Sequence, residues 1–204
     1  MLYGLIRVLI GILIFGLAVI GILKSKIRKK KGFTISFFIL SIIIIFISGL
    51  FPIENTFITF DSPKEVFYYT QIGEIKDTIY GNNSCMIVYL SQNGSYSYVI
   101  IPKIEEGYKI GSSFSNVAIC KTLAQGNSAQ ILNLKGTTDY YLWATFISEN
   151  PDITISDSNH SSFKHILNRG ENINTFISYG FIDTLNNNYC LTLDNNEIFN
   201  LKRI

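Results

Sequence analysis

The chain has few of the residues that most often carry chemistry: three cysteines, two histidines and one tryptophan among 204 residues. Three cysteines are too few for the framework of a disulfide-dense mini-protein. The sequence also contains no HExxH, CxxC, GxSxG, P-loop or EF-hand spacing. It therefore gives no support for an enzyme, and we predict no cofactor and no metal site.

Acidic residues are missing from the first part of the chain, since none precedes Glu54. Seven of the 17 basic residues lie at 1–51, so the rest of the chain has ten basic residues against all 15 acidic ones. An acidic remainder without a basic stripe is unlike a nucleic-acid-binding surface. We therefore predict a basic, apolar front, an acidic globular back and no nucleic-acid partner.

Two long apolar runs make up most of the front. Residues 1–23 carry one charge, Arg7, and residues 33–51 carry none. About 20 apolar helical residues cross a bilayer core, so the runs predict transmembrane helices at 1–23 and 33–52. A cleaved signal peptide is the alternative for the first run, but a basic start is lacking and the second run follows at once. Arg7 has two interpretations, an anchor at the membrane interface or a partner site within the membrane.

A basic loop at 24–32 lies between the two runs. The positive-inside bias places such a loop in the cytoplasm. This predicts a multi-pass plasma-membrane protein whose termini and C-terminal domain are extracytoplasmic, with the lipid bilayer as a partner. A second role for the loop is to hold anionic lipid. Its cations are Lys24, Lys26, Arg28, Lys29, Lys30 and Lys31.

Small residues recur every seven positions in both runs. Because seven helical residues drift by only about 20° from two full turns, each set lies on one helix face. Small faces let helices approach closely, so we expect the two sets to meet in a left-handed antiparallel hairpin. Chance spacing among frequent Gly and Ser is the alternative. The sets are Gly4, Gly11 and Ala18 in the first run and Thr34, Ser41 and Ser48 in the second.

The remainder, 57–204, has the pattern of one short helix followed by many strands. Ser62 is a good N-cap, Pro63 suits the first helical position and Glu65 completes a capping box. The runs that follow are rich in Val, Ile and Tyr and are separated by short turns, which predicts antiparallel strands. The predicted fold class is α+β: a mainly antiparallel β domain with one short helix, preceded by the two-helix transmembrane hairpin.

Asn93-Gly94 between two apolar runs is a strong hairpin signal, because both residues of a type I′ turn need positive φ. A two-residue turn there places Tyr89 opposite Tyr98. Both faces of the hairpin are then apolar, so we expect it in the centre of a sheet and covered on each side. A faint repeat of turn sequences also indicates two related halves that divide near residue 111, although convergence on the same turn chemistry explains the repeat equally well.

The cysteines and histidines each have two interpretations. Cys85 and Cys190 are candidates for a disulfide, although each lies in an apolar run where a thiol behaves as a small hydrophobe. His160 and His165 are the basis for an alternative function as a cell-envelope hydrolase, but a catalytic triad is defined only in space. The serines and asparagines around His160 are more typical of a polar loop.

Residues 60–67 read FDSPKEVF, and a GNNSC turn and the run SYSYVIIPK follow. This order resembles small membrane-anchored proteins of low-GC Gram-positive bacteria, in which a SPEEAF-like helix precedes a pair of strands. The resemblance covers roughly residues 60–110. It implies a location, but no activity and no catalytic residue.

Together these features predict a non-catalytic, membrane-anchored protein with an extracytoplasmic ligand- or protein-interaction module. Its expected partner is an unidentified membrane or envelope protein. The alternatives are a self-protection protein against a bacteriocin or other toxin, and the envelope hydrolase.

Overall fold

The computed structural model describes residues 2–24, 32, 35–36, 38–43, 51–112, 116–122, 128–149, 154–169, 174–185, 189–193 and 197–200. Its helices are α1 (Leu2–Lys24), a 3₁₀ helix (Ile53–Thr56) and α2 (Pro63–Thr70). Residues 32, 35–36 and 38–43 are also helical.

Twelve strands form three sheets in the described part of the chain. The strands are β1 (Gly73–Tyr80), β2 (Ser84–Ser91), β3 (Tyr96–Ile104), β4 (Gly107–Tyr108), β5 (Asn116–Thr122), β6 (Ser128–Leu134), β7 (Tyr140–Ser148), β8 (Ile155–Asp157), β9 (Lys164–Arg169), β10 (Asn174–Ile182), β11 (Cys190–Leu193) and β12 (Glu197–Asn200). Sheet 1 has the order β1-β2-β3-β4, sheet 2 the order β5-β6-β7-β10-β9 and sheet 3 the order β12-β11-β8.

All of these strand pairs are antiparallel. This confirms the predicted mainly antiparallel β domain, since most consecutive strands are joined by connections too short for a parallel crossover. Residue 111, where the sequence repeat divides, lies between β4 and β5, at the change from sheet 1 to sheet 2.

Strand β2 has two buried faces. Cys85 and Ile87 pack in a cluster with Val66 and Phe67 of α2. Met86, the residue between them, packs in a second cluster with side chains of sheet 2. Successive side chains of a strand point to opposite faces, so one strand contributes to two cores. The predicted hairpin is therefore central and covered on both sides, with α2 on one of them.

Strand β7 repeats this arrangement one layer further on. Tyr141 and Trp143 belong to the cluster between sheets 1 and 2. Leu142 and Ala144 belong to a third cluster, which also contains Leu191 of sheet 3. The layers therefore follow the order α2, sheet 1, sheet 2, sheet 3.

Helix α2 begins as its local sequence predicts. The Glu65 backbone N–H donates to Ser62 Oγ at 3.3 Å, and Pro63 occupies the first turn. The Glu65 carboxylate in turn accepts from the Asp61 N–H at 3.2 Å, one residue before the N-cap position of a standard capping box. The helix ends at Thr70.

The turn of the β2–β3 hairpin is one residue longer than predicted. The Gly94 N–H donates to Ser91 O and the Ser91 N–H to Ser95 O, both at 2.9 Å, so residues 92–94 form a three-residue loop. Only Gly94 of this loop has positive φ, at 79°. The Asn93-Gly94 sequence is compatible with a type I turn followed by a left-handed residue as well as with the predicted type I′ turn. The register therefore shifts by one, and Tyr89 pairs with Ser97 instead of Tyr98.

The structure contradicts the transmembrane hairpin. In the part of the chain that it describes, no helix combines the length and the apolarity that crossing a membrane requires. The predicted spans at 1–23 and 33–52 are therefore wrong, and so is the multi-pass plasma-membrane location with both termini outside. The prediction rested on the number of apolar residues in each run, which is a condition for a membrane span but does not by itself establish one.

The small-residue sets fall partly within the described residues. Gly11 and Ala18 of α1 are buried, and so is Ser41 in the helical residues 38–43. The rings of Phe15 and Phe38 lie 5.8 Å apart, which brings the two helical stretches together. Thr34 and Ser48 lie outside the described residues, and Gly4 is described only as part of α1.

Candidate functional site: the junction segment

Residues 51–60 connect the apolar front to α2, and we call them the junction segment. Pro52 has φ −74°, and the 3₁₀ helix follows it directly. The N–H groups of Asn55, Phe57 and Ile58 donate to Pro52 O and Glu54 O at 2.8–3.1 Å. Proline has a fixed φ and no backbone N–H, and the first residues of a helix have no internal acceptor for that N–H. Pro52 therefore favours the start of the 3₁₀ helix at this point.

Asn55 attaches the junction segment to the end of sheet 1. Its side-chain Nδ2 donates to Ile110 O at 2.8 Å, and its Oδ1 accepts from the Ile110 N–H at 2.9 Å. One amide side chain thereby satisfies both polar groups of a backbone residue. The backbones of Phe60 and Tyr108 exchange a further pair of hydrogen bonds, at 3.1 and 2.9 Å.

Lys109 makes a second attachment. Its Nζ donates to Asn55 O at 2.7 Å, to Ile58 O at 2.8 Å and to Thr59 Oγ1 at 2.8 Å. An ammonium group has three donors, and all three are used here. Lys109 therefore satisfies carbonyl groups that a short helix leaves without an internal partner.

Gly107 allows the close approach on which this arrangement depends. Its φ is +139°, and a Cβ added to it would lie closer to Phe60 O than real Cβ atoms approach. A glycine has no steric penalty for positive φ and no side chain in the way. Any larger residue at this position would push the junction segment away from β4.

Arg7 and Glu54 connect the junction segment to α1. Arg7 Nη2 lies 3.3 Å from Glu54 Oε2 and donates to Phe51 O at 3.0 Å. Both side chains are largely buried, at 19% and 10% exposure. The two predicted interpretations of Arg7 did not include this pairing, because the partner lies 47 residues further along the chain.

The side chains that the junction segment exposes are apolar. Phe57 is 83% exposed, the highest value among the large hydrophobic residues of the described chain. Phe51, Ile53 and Ile58 are 52%, 45% and 38% exposed. We call these four residues the junction patch. Because its backbone is fixed by hydrogen bonds on both sides, the patch remains displayed to solvent.

The two histidines, His160 and His165, have different hydrogen-bond partners. His160 has φ 56°, and its N–H donates to Asp157 O at 3.2 Å, within a turn that Asp157 also stabilises through its carboxylate. His165 on β9 shares a hydrogen bond of 2.9 Å with Ser178 Oγ on β10. The described residues contain no cluster of three or more potential metal ligands.

Burial lowers the pKa of His165. The folded state therefore binds a proton at His165 less readily than the unfolded chain does. The folded state keeps its full stability above the usual histidine pKa of about 6.5 and loses stability as the pH falls below that value. We expect the midpoint of urea unfolding to fall as the pH decreases from neutral through about 6, and this fall to be smaller in His165→Gln. Equal pH dependence in the two proteins would contradict the prediction.

Cys85 and Cys190 are both free thiols. Cys85 is buried beneath α2, and burial raises the pKa of its thiol to about 12. Cys190 lies in β11 of sheet 3, in a different layer from Cys85. Neither is joined to the other in this structure, and Cys85 behaves as a small core residue.

Two residues of the basic loop at 24–32 lie in the described chain, Lys24 and Gly32, and the side chain of Lys24 is exposed at the end of α1. Residues 25–31 lie outside the described residues.

A comparison of the chain with protein families, curated proteins and solved structures found no match.

Proposed function

We propose that the chain is a non-catalytic interaction module that binds a partner protein through the junction patch. The observation that supports this is Phe57, which is 83% exposed on a segment held from both sides. Aromatic residues that insert into a pocket of the partner provide much of the binding energy in protein interfaces. Phe57 has the exposure that such an anchor needs.

The hydrogen bonds of the junction segment favour this role for a second reason. Binding costs conformational entropy when a flexible segment must be ordered, and a preformed segment avoids much of that cost. Asn55, Lys109 and Glu54 together hold the patch in one conformation through their hydrogen bonds and ion pair. They are positioning residues for Phe57.

The Ser178–His165 pair does not favour the hydrolase alternative, because Ser178 cannot reach a substrate. Ser178 is fully buried, at 0% exposure, in a strand that pairs on both sides. A nucleophile must reach the substrate as well as its base. The pair therefore fits a structural hydrogen bond between neighbouring strands. Self-protection remains compatible with the interaction role, with a toxin as the bound protein.

The test replaces Phe57 by a photoreactive phenylalanine analogue in cells that produce the full chain. We expect one distinct cross-linked protein. In affinity capture of the chain without the analogue, we expect Phe57→Ser to lower the recovery of that same protein about tenfold or more. Its folding should be unaffected, because substitutions of exposed residues usually change stability by less than about 0.5 kcal/mol.

Tyr68 provides the matched control, since it is an aromatic residue of the neighbouring α2 that is 61% exposed. Tyr68→Ser should leave recovery of the partner unchanged. Equal losses in Phe57→Ser and Tyr68→Ser, or no loss in either, would contradict the proposal.

A further inference from the structure

Strand β9 (Lys164–Arg169) lies at one edge of sheet 2, with β10 beside it and no further strand beyond it in the described part of the chain. In an antiparallel pair, alternate residues direct their N–H and C=O groups away from the partner strand. About half of the backbone groups of β9 therefore point away from β10, and no other described residue hydrogen-bonds to them. Such an edge is a template on which another strand can pair.

Strand β1, the neighbouring edge of sheet 1, is protected against such pairing. Lys164 Nζ lies 2.8 Å from Asp77 Oδ2 of β1, so the two edges lie side by side. The pairing of β1 with β2 shifts its register between Ile75 and Asp77, and the Thr78 N–H donates to Asp77 Oδ1 at 2.9 Å. Bulges and charged side chains keep edge strands from pairing with other chains. The β1 edge therefore does not favour a further strand.

Strand β9, in contrast, has neither a register shift nor a proline. It pairs with residues 174–179 of β10 in one regular register. At its centre, Ile166 packs against the cluster between sheets 1 and 2, and Leu167 packs against the cluster that includes sheet 3. Both side chains are half-buried, one on each face of sheet 2. A strand added beside β9 would extend both faces, so the edge favours a regular strand with an apolar centre.

The charge of β9 favours an acidic segment. The strand contains Lys164 and Arg169 and no acidic residue. The Lys164 side chain is 60% exposed, and its contact with Asp77 occupies only one of the three donors of an ammonium group. Complementary charges fix the register of an interface and suppress wrong partners. Acidic residues at the ends of an added strand would lie beside the basic ends of β9, whereas basic residues would be repelled.

We infer that β9 is a docking edge for an extended acidic segment of another protein, which adds to sheet 2 beside β9. Recognition by strand addition takes its affinity from backbone hydrogen bonds and its specificity from alternate side chains. Here the apolar side chains of the segment contact Ile166 and Leu167. The edge belongs to sheet 2, whereas the junction patch is attached to sheet 1, so this inference does not depend on the proposed function.

The test uses the full chain and a short peptide whose centre alternates valine and threonine and whose ends carry pairs of glutamates. We expect the peptide to bind and to slow hydrogen exchange in β9, measured by mass spectrometry, because the added strand accepts from the outward N–H groups. Exchange in β1 should not change. The same peptide with N-methyl groups on its central residues should bind about tenfold more weakly or less, since it cannot donate to β9.

Charge variants test the choice of an acidic segment. Lysines in place of the glutamates should weaken binding severalfold, and so should Lys164→Gln in the chain at low salt, by about two- to fivefold for one exposed charge. Lys76→Gln is the matched control, because Lys76 is an exposed lysine of the β1 edge. It should bind the glutamate peptide as the wild-type chain does. Equal binding of the lysine peptide would overturn the acidic preference.

Three results would overturn strand addition itself. They are no binding of the glutamate peptide, equal binding of its N-methylated form, and binding that leaves hydrogen exchange in β9 unchanged. Protection of β9 that increases with the concentration of the chain, in the absence of peptide, would identify a second copy of this chain as the occupant and would also overturn the inference. Phe57→Ser should bind the peptide like the wild-type chain, since the junction patch is a separate surface.

Discussion

Asp139→Ala is expected to lower the free energy of unfolding by about 3 kcal/mol or more. The Asp139 carboxylate is fully buried and accepts from the N–H groups of Asn82 and Asn83, at 3.1 and 2.7 Å, and from Ser84 Oγ at 2.7 Å. Hydrogen bonds to a carboxylate contribute about 1.5–3 kcal/mol each, and the Ser84 hydroxyl, which is itself buried, would lose one of its partners. The carboxylate joins the β1–β2 turn of sheet 1 to the start of β7 in sheet 2, so its loss loosens two layers at once.

Urea unfolding followed by circular dichroism measures this effect, and two further variants set its scale. Tyr141→Phe removes a hydroxyl that lies 2.9 Å from Ser84 Oγ and should cost about 1 kcal/mol. Asp183→Ala, at an exposed aspartate, should leave the midpoint unchanged within about 0.5 kcal/mol. A loss in Asp139→Ala no larger than that in Asp183→Ala would contradict the role given to this carboxylate.

Phe67→Ala is the second large change, with an expected loss of about 3–5 kcal/mol. The Phe67 side chain is fully buried, and its ring centroid lies 4.9 Å from that of Tyr89 in an edge-on contact. Eight residues are too few for a stable isolated helix, so α2 depends on this side chain to remain on sheet 1. We expect faster hydrogen exchange in α2 at a denaturant concentration where sheet 2 is still protected.

Tyr68→Ala is the control on the same helix, because Tyr68 is 61% exposed. It should cost less than about 1 kcal/mol. Phe60 of the junction segment belongs to the same cluster as Phe67. If α2 detaches as expected, Phe67→Ala should also weaken binding through the junction patch. Equal stability of Phe67→Ala and Tyr68→Ala would show that α2 does not depend on this contact.

Local sequence signals predicted those helices and strands that are stabilised by interactions between residues close together in the chain. Ser62, Pro63 and Glu65 lie within four residues of one another, and their hydrogen bonds start α2. Alternating and β-branched residues likewise indicated most strands. The loop at residues 92–94 shows the limit of such signals, since two turn types accept the same sequence and only the pairing of β2 with β3 selected one.

Strand β9 (Lys164–Arg169) is not predicted by its own sequence, for a related reason. Its sequence, KHILNR, has neither alternation nor a clear apolar run. It is a strand because β10 offers it an edge, with Ile166 opposite Ile177 and His165 opposite Ser178. Tertiary context decides such strands, because their stability comes from cross-strand partners more than from intrinsic preference.

The sequence by itself determined the acidic β-rich domain, its N-capped helix and the apolar front with its basic loop, because composition, periodicity and capping act over a few neighbouring residues. Only the tertiary structure decided the pairing of Arg7 with Glu54, the attachment of Asn55 and Lys109, and the exposure of Phe57. These contacts join residues about 50 positions apart. Their geometry depends on how whole layers pack, which no short stretch of sequence specifies.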